Sequence, residues 1–250
     1  MQVDFNIRTT ADFSSVFAYS SQTLTIINLY RTFFLLFLKK GYAKINLHLD
    51  VTGIREDGYH SVETVMQSLS LCDDVSVSLR EDGVISCACN IPELPTDERN
   101  IAVRAARAYL EAINSDKGAF IRIEKRIPMA AGLAGGSADA AATLVALNQL
   151  FDNALSESEL LSIGSSLGAD VPFCVVGGTR LCRGIGEKMQ EIPNALDPFL
   201  VIVMGDEGIS TPQAFADIDK ACGDFKGAPE VAEEKHKAII DCLKNGETDT

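Results

Sequence analysis

The chain has 250 residues, 46% of them hydrophobic and 23% charged, and a formal net charge of −13. This composition suits one large or two modest globular domains, and the acidic balance argues against a general nucleic-acid surface. Seven scattered cysteines and three histidines, none of them beside a cysteine pair, argue against a zinc site and for reduced thiols in a cytoplasmic protein.

Residues 1–40 contain no glycine or proline and hold eight of the aromatic residues, with four basic residues against two acidic ones. The apolar run from Leu24 to Leu38 is interrupted by Asn28 and Arg31. It is short for a membrane span, which needs about 20 residues. It also lacks the basic start and small-residue cleavage site of a signal peptide. Residues 1–41 therefore read as an extension without a catalytic role, with a boundary near Gly41; the rival reading is a weak membrane-surface anchor.

From Ala43 to Val51 the sequence alternates. Ala43, Ile45, Leu47, Leu49 and Val51 fall on one face, and Lys44, Asn46, His48 and Asp50 on the other. That pattern predicts a half-buried strand whose polar face is either wet surface or the wall of a site. A turn over Gly53–Gly58 leads to Tyr59 and His60. Strands follow over 64–71 and 74–80, then a helix over 100–113 with Ala102, Ala106, Tyr109 and Ile113 on one face, and a strand over 119–124.

Lys125–Ala140 reads as a strand end, a proline break, a small-residue loop and a helix start. Gly132, Gly135 and Gly136 permit close ligand approach or positive φ, and Ser137 is the expected helix cap. Free N–H groups and the positive end of the helix dipole make such a start a seat for phosphate. The loop is neither G-x-x-x-x-G-K-[ST] nor G-x-G-x-x-G, and on its own it also fits a tight packing turn. The helix over 137–151 carries an apolar stripe of Ala140, Leu144, Leu147 and Phe151. Asp139, in its first turn, is read as a dipole-favoured acid rather than a metal ligand. Ser156 and Glu159 form a capping box for a helix that ends before Gly168. Ala169–Pro172, an apolar run over 173–176, and strands over 179–183 and 199–203 follow. Strands that run together before alternating with helices indicate an α+β fold.

Three segments now carry a family resemblance: Tyr42–Leu47 (YAKINL) with Gly58–His60 (GYH), Ile127–Ala140, and Leu167–Pro172 (LGADVP). Together they closely resemble the 4-diphosphocytidyl-2-C-methyl-D-erythritol kinase family of the GHMP kinase superfamily. The resemblance implies a two-domain fold: residues 42–184 as an ATP-binding domain like ribosomal protein S5 domain 2, and residues 185–250 as an incomplete ferredoxin-like domain. It also implies ATP with Mg²⁺ as phosphoryl donor and a cytidine-diphosphate-linked methylerythritol as small-molecule acceptor, with no nucleic-acid or membrane partner. Asp170 matches the catalytic base and Lys44 the lysine that orients it. Asn46, on the face of Lys44, is expected to hydrogen-bond the sugar-like portion of the substrate. Tyr59 and His60 match residues that hold the cytosine, and Phe215 a second stacking ring. Gly132, Leu133, Ala134, Gly135, Gly136 and Ser137 match the ATP phosphate loop, and Asn100 the adenosine side.

Two departures stand out. Ala134 occupies a position where many relatives have glycine, so negative φ is expected there. After Gly186 only isolated glycines occur, where the family has a further glycine-rich segment. An incomplete second domain with exposed apolar surface is the expectation. A kinase for another small alcohol, such as homoserine or mevalonate, and a non-catalytic nucleotide-binding remnant are the competing functions.

Overall fold

A computed structural model describes residues 36–56, 58–196, 198–203, 211–222 and 229–246. Residues 1–35, most of the expected extension, lie outside the described residues, as does Asp57 of the turn. Leu36–Ile54 (β1) and His60–Arg80 (β2) form a long antiparallel pair. The other edge of β2 is shared. Its C-terminal half pairs with Gly118–Glu124 (β4) and its N-terminal half with Thr179–Gly184 (β5), both antiparallel. Ile85–Cys89 (β3) joins β4 in parallel, and Lys188–Glu191 (β6) joins β5 antiparallel, completing one mixed sheet.

Ile101–Ala112 (α1), Gly135–Leu150 (α2), Glu157–Leu167 (α3) and the short Val171–Val176 (α4) pack with this sheet. Val75, Val77, Ile121 and Ile123 from the sheet meet Tyr109, Leu144 and Leu147 from the helices. α2 is buried on every side rather than along the predicted stripe, from Ala138 through Leu144 and again at Ala146–Asn148. A helix apolar all round belongs in a core, and its alanines allow close neighbours. Gly41 of β1 is one of them: a Cβ there would lie 2.7 Å from the Ala138 carbonyl oxygen.

Four predicted elements change. β2 is continuous where a break was expected at Cys72–Asp73, because Asp73 is buried and bonded rather than solvated. β1 begins at Leu36, inside the expected extension, and Phe37 packs on the main core. The β1 alternation is broken by register shifts near Ala43, Leu47 and Thr52. As a result Leu47 and Leu49 are exposed while Lys44 is buried, so the polar face is the inner one there. The segment predicted as a strand over 199–203 joins no ladder, and its five apolar residues are exposed. β-propensity describes fit to a neighbouring strand, and none of the described strands lies beside it.

The sequence also missed β3, β6 and two helices, Thr211–Cys222 (α5) and Pro229–Asn245 (α6). Leu243 of α6 joins Val65, Leu181 and Ile192 in a second buried cluster. The Ala195 N–H donates to the Leu243 carbonyl at 2.9 Å. The described residues from Leu36 onward fall in one compact unit, and after β6 they contribute α5 and α6 and no strand.

Candidate active site

β1 and α4 bring Lys44 and Asp170 together. Lys44 Nζ lies 3.6 Å from Asp170 Oδ2, with side chains 8% and 32% exposed. Asp170 stands at the N-cap position of α4, but its side chain makes no capping hydrogen bond there. Lys44 Nζ also donates to Asn46 Oδ1 at 2.7 Å, and Asn46 Nδ2 donates to the buried Thr64 hydroxyl at 2.7 Å. Thr64 in turn donates to the His48 carbonyl at 2.6 Å. Both ends of the Asn46 amide are thus engaged within the protein, and what they do is aim the ammonium. The Asp170 side chain is half-buried and part of its surface remains accessible.

The glycine-rich loop is tied to the same place. The Lys44 backbone N–H donates to the Leu133 carbonyl at 3.1 Å. The Leu133 side chain is buried with Ala43, Ile127 and Ala138, so it anchors the loop from below. Ala134 has φ 58° and ψ 30°, the left-handed region, which overturns the expectation of negative φ. Helix α2 begins at Gly135, so Ser137 sits in its first turn and is not the cap. No side chain caps this helix. The amides of its first turn are therefore free to meet an anion. Ala134→Gly is expected to relieve about 1 kcal/mol of left-handed strain and to raise the melting temperature by about 2–4 °C. Calorimetric scanning checks it.

Behind the loop lies a buried charge cluster that the sequence reading did not find. Lys125 Nζ is 2.5 Å from Asp73 Oδ2 and 2.8 Å from Asp139 Oδ2, with all three side chains at most 3% exposed. Asp73 Oδ1 accepts the N–H groups of Arg126 and Ile127, at 2.5 and 2.8 Å. The cluster ties β2, the entry to the loop and α2 together; Asp139 lies beyond the first turn of α2 and is a buried ion partner, not the dipole-favoured acid expected from sequence. Gly135 is small for this reason: a Cβ there would stand 3.0 Å from Lys125 Nζ. Burial pushes the Asp139 carboxyl up to about 7, against the pull of Lys125. Its Oδ1 is buried without a partner among the described residues, which is where such a proton would sit. Asp73 has Asp74 beside it, and Lys125 stands between Glu124 and Arg126 just past β4, so neither carried a local signal of burial.

At the other end of the β1–β2 pair, the His60 ring stacks on Phe215 of α5, with centroids 4.7 Å apart and planes at 20°. The structure thus brings these two candidate residues into contact with each other. Tyr59 is 63% exposed beside them. His60 Nε2 lies 2.7 Å from Asp219 Oδ1, a partner not anticipated from sequence. Asn100 is buried and caps α1: its Oδ1 accepts from Ala102 N at 2.9 Å and its Nδ2 donates to the Pro95 carbonyl at 2.8 Å. No group of three or more His, Cys, Asp or Glu side chains arranged to hold a metal occurs among the described residues. No helix among them is long and apolar enough to cross a membrane.

Residues 100–178 match the family described as GHMP kinases N terminal domain. The chain is 46% identical over 187 residues to the 4-diphosphocytidyl-2-C-methyl-D-erythritol kinase of Clostridium acetobutylicum, covering 75% of this chain and 66% of that one. It is 48% identical over 180 residues to the enzyme of the same name from Clostridium botulinum strain Alaska E43, covering 72% and 64%. The chain thus spans slightly under two thirds of these relatives' length. A crystal structure of 4-(cytidine 5'-diphospho)-2C-methyl-D-erythritol kinase aligns with a TM-score of 0.62 at 33% identity, covering 84% of this chain and 72% of that one. The mevalonate pyrophosphate decarboxylase of Streptococcus pyogenes aligns with the same TM-score at 15% identity and shares the fold alone.

Proposed function

The chain belongs to the 4-diphosphocytidyl-2-C-methyl-D-erythritol kinase family of GHMP kinases, and from that premise we propose that it transfers the γ-phosphoryl of ATP to the 2-hydroxyl of a cytidine-diphosphate-linked methylerythritol, a step of the non-mevalonate route to isoprenoid precursors. The observation that carries this reading is the Lys44–Asp170 pair, 3.6 Å apart, with the Lys44 backbone bonded to the phosphate loop at Leu133. A cytoplasmic setting is part of the proposal. The six described cysteines, all free, support it.

An alcohol holds its proton far above neutral pH, so a base must accept it as the oxygen–phosphorus bond forms. Asp170 is that base. Lys44 faces the same oxygen and offsets the negative charge that grows on the reacting group. Phosphoryl transfer passes through a loose transition state with charge spread over the equatorial oxygens. The first-turn amides of α2, from Gly135 to Ser137, and the chain at Gly132 and Ala134 meet the donor phosphates from the opposite side. The uncapped helix start fits a triphosphate. Mg²⁺ would be carried on the phosphates, where it neutralises their charge; Asp139 is committed to Lys125. Tyr59, His60 and Phe215 would hold the cytosine, and Asn46 would support the acceptor end through Lys44. Asn100 would shape the adenosine side by fixing the start of α1.

A coupled ADP-release assay tests the reading with the cytidine-linked alcohol beside homoserine and mevalonate. The expected result is turnover that favours the cytidine-linked substrate. Equal rates on all three would point to a kinase of different specificity. ATP binding without ADP release would leave a nucleotide-binding remnant.

A further inference from the structure

We propose that Asp219 is a specificity-determining positioning residue: through His60 it sets which face of the hydrogen-bonding code the site offers to a pyrimidine, and it selects a base bearing an exocyclic amine. The proposal rests on the reading of His60 as a base-contacting residue given above.

A carboxylate accepts hydrogen bonds and donates none. An imidazole nitrogen 2.7 Å from Asp219 Oδ1 is therefore the one that carries the proton, and that nitrogen is Nε2. In the neutral ring the other nitrogen, Nδ1, is then a bare acceptor. Phe215 covers one face of the ring at 4.7 Å and 20°, so the imidazole meets a ligand by its edge, in the plane of the ring. The His60 side chain is only 10% exposed, which leaves little freedom to turn over. An in-plane acceptor pairs with the 4-amino group of cytosine. Facing uracil it would meet the O4 oxygen, acceptor against acceptor. A site built to bond a polar group rejects the analogue that lacks it, because its own polar atom is left unpaired.

Phe215 and Asp219 sit one turn apart on α5, so the same helix face supplies the ring that stacks and the carboxylate that fixes the tautomer. Asp219 is 43% exposed, and replacing it by asparagine leaves the apolar contacts of α5 in place. An asparagine amide donates as well as accepts, so His60 is released to adopt either tautomer.

The test has two readouts on the full chain and its Asp219→Asn variant. Nitrogen-15 NMR of the imidazoles at neutral pH reads the tautomer directly. The expected wild-type spectrum has His60 protonated at Nε2 and bare at Nδ1, with the variant showing a mixture. Wild-type His60 protonated at Nδ1 would overturn the proposal. Steady-state rates on cytidine- and uridine-diphosphate-linked methylerythritol read specificity. Asp219→Asn is expected to raise KM for the cytidine compound about 10-fold, to leave kcat within about 3-fold, and to narrow the preference over uridine about 10-fold. An unchanged KM and preference, in a chain that turns over the cytidine compound, would sink the role of Asp219 and leave the proposed function standing. No turnover of either compound by the wild type would remove both.

Discussion

Asp170→Asn is expected to lower kcat for ADP release by about 10²–10⁴-fold, the range that a positioned general base contributes. The substitution keeps the size of the side chain and its place before α4 but removes the proton acceptor. KM for ATP should stay within about 3-fold, because the loop that meets the phosphates is held to β1 through the Leu133 carbonyl, and the free amides at the start of α2 do not depend on the Asp170 charge. Lys44 loses its charged neighbour yet keeps the hydrogen bond to Asn46 Oδ1, so the fold should not suffer. A melting temperature equal to the wild type, with the rate loss confined to kcat, is the full expected pattern. Activity that survives would remove Asp170 as base and with it the chemical core of the proposed function.

Lys125→Met is expected to destabilise the fold by about 3–5 kcal/mol, the usual result of removing one partner from a buried ion cluster. Methionine fills the volume of the lysine stem but leaves Asp73 and Asp139 facing each other without a cation. Urea unfolding gives the measurement, and a midpoint equal to the wild type would show that the cluster contributes nothing net. Adding Asp139→Asn to Lys125→Met should recover part of the loss when measured well above pH 7, where Asp139 would otherwise be an uncompensated carboxylate, while Asp73 keeps the two backbone N–H groups it accepts.

Asp139→Asn alone carries a pH signature. The folded state holds the Asp139 proton up to about pH 7, whereas an unfolded carboxyl releases it near 3.8. The stabilisation from this residue is therefore full below the unfolded value and is lost as pH rises toward 7. The asparagine variant has no such proton to release. Its stability relative to wild type should rise between pH 4 and pH 7 and then level off. A difference that stays flat across that interval would mean that Asp139 is ionised throughout.

Much of the fold was legible because local signals and tertiary needs agreed. Ser156 and Glu159 cap α3 as their spacing demands, and the β4, β5 and α1 boundaries fall within a residue or two of the pattern. Lys44 and Asp170 were named from motifs, but their meeting in space is a property of the fold. What stayed hidden depended on partners distant in sequence. The run at 199–203 has the composition of a strand and no ladder to join. Asp73 looked like a turn residue until Lys125, 52 positions away, supplied its counter-charge. Asp219 was unremarkable on the page because its histidine lies 159 residues earlier.

By itself the sequence determined the class of fold, the small-residue loop before a helix, and the residue types that phosphoryl transfer requires, because periodicity, capping and glycine act over a few residues. Only the tertiary structure decided the left-handed turn at Ala134, the inward face of β1, and which carboxylate serves which cation. Those depend on register shifts, on burial and on distances between elements, and an electrostatic interaction is set by separation and desolvation rather than by position along the chain.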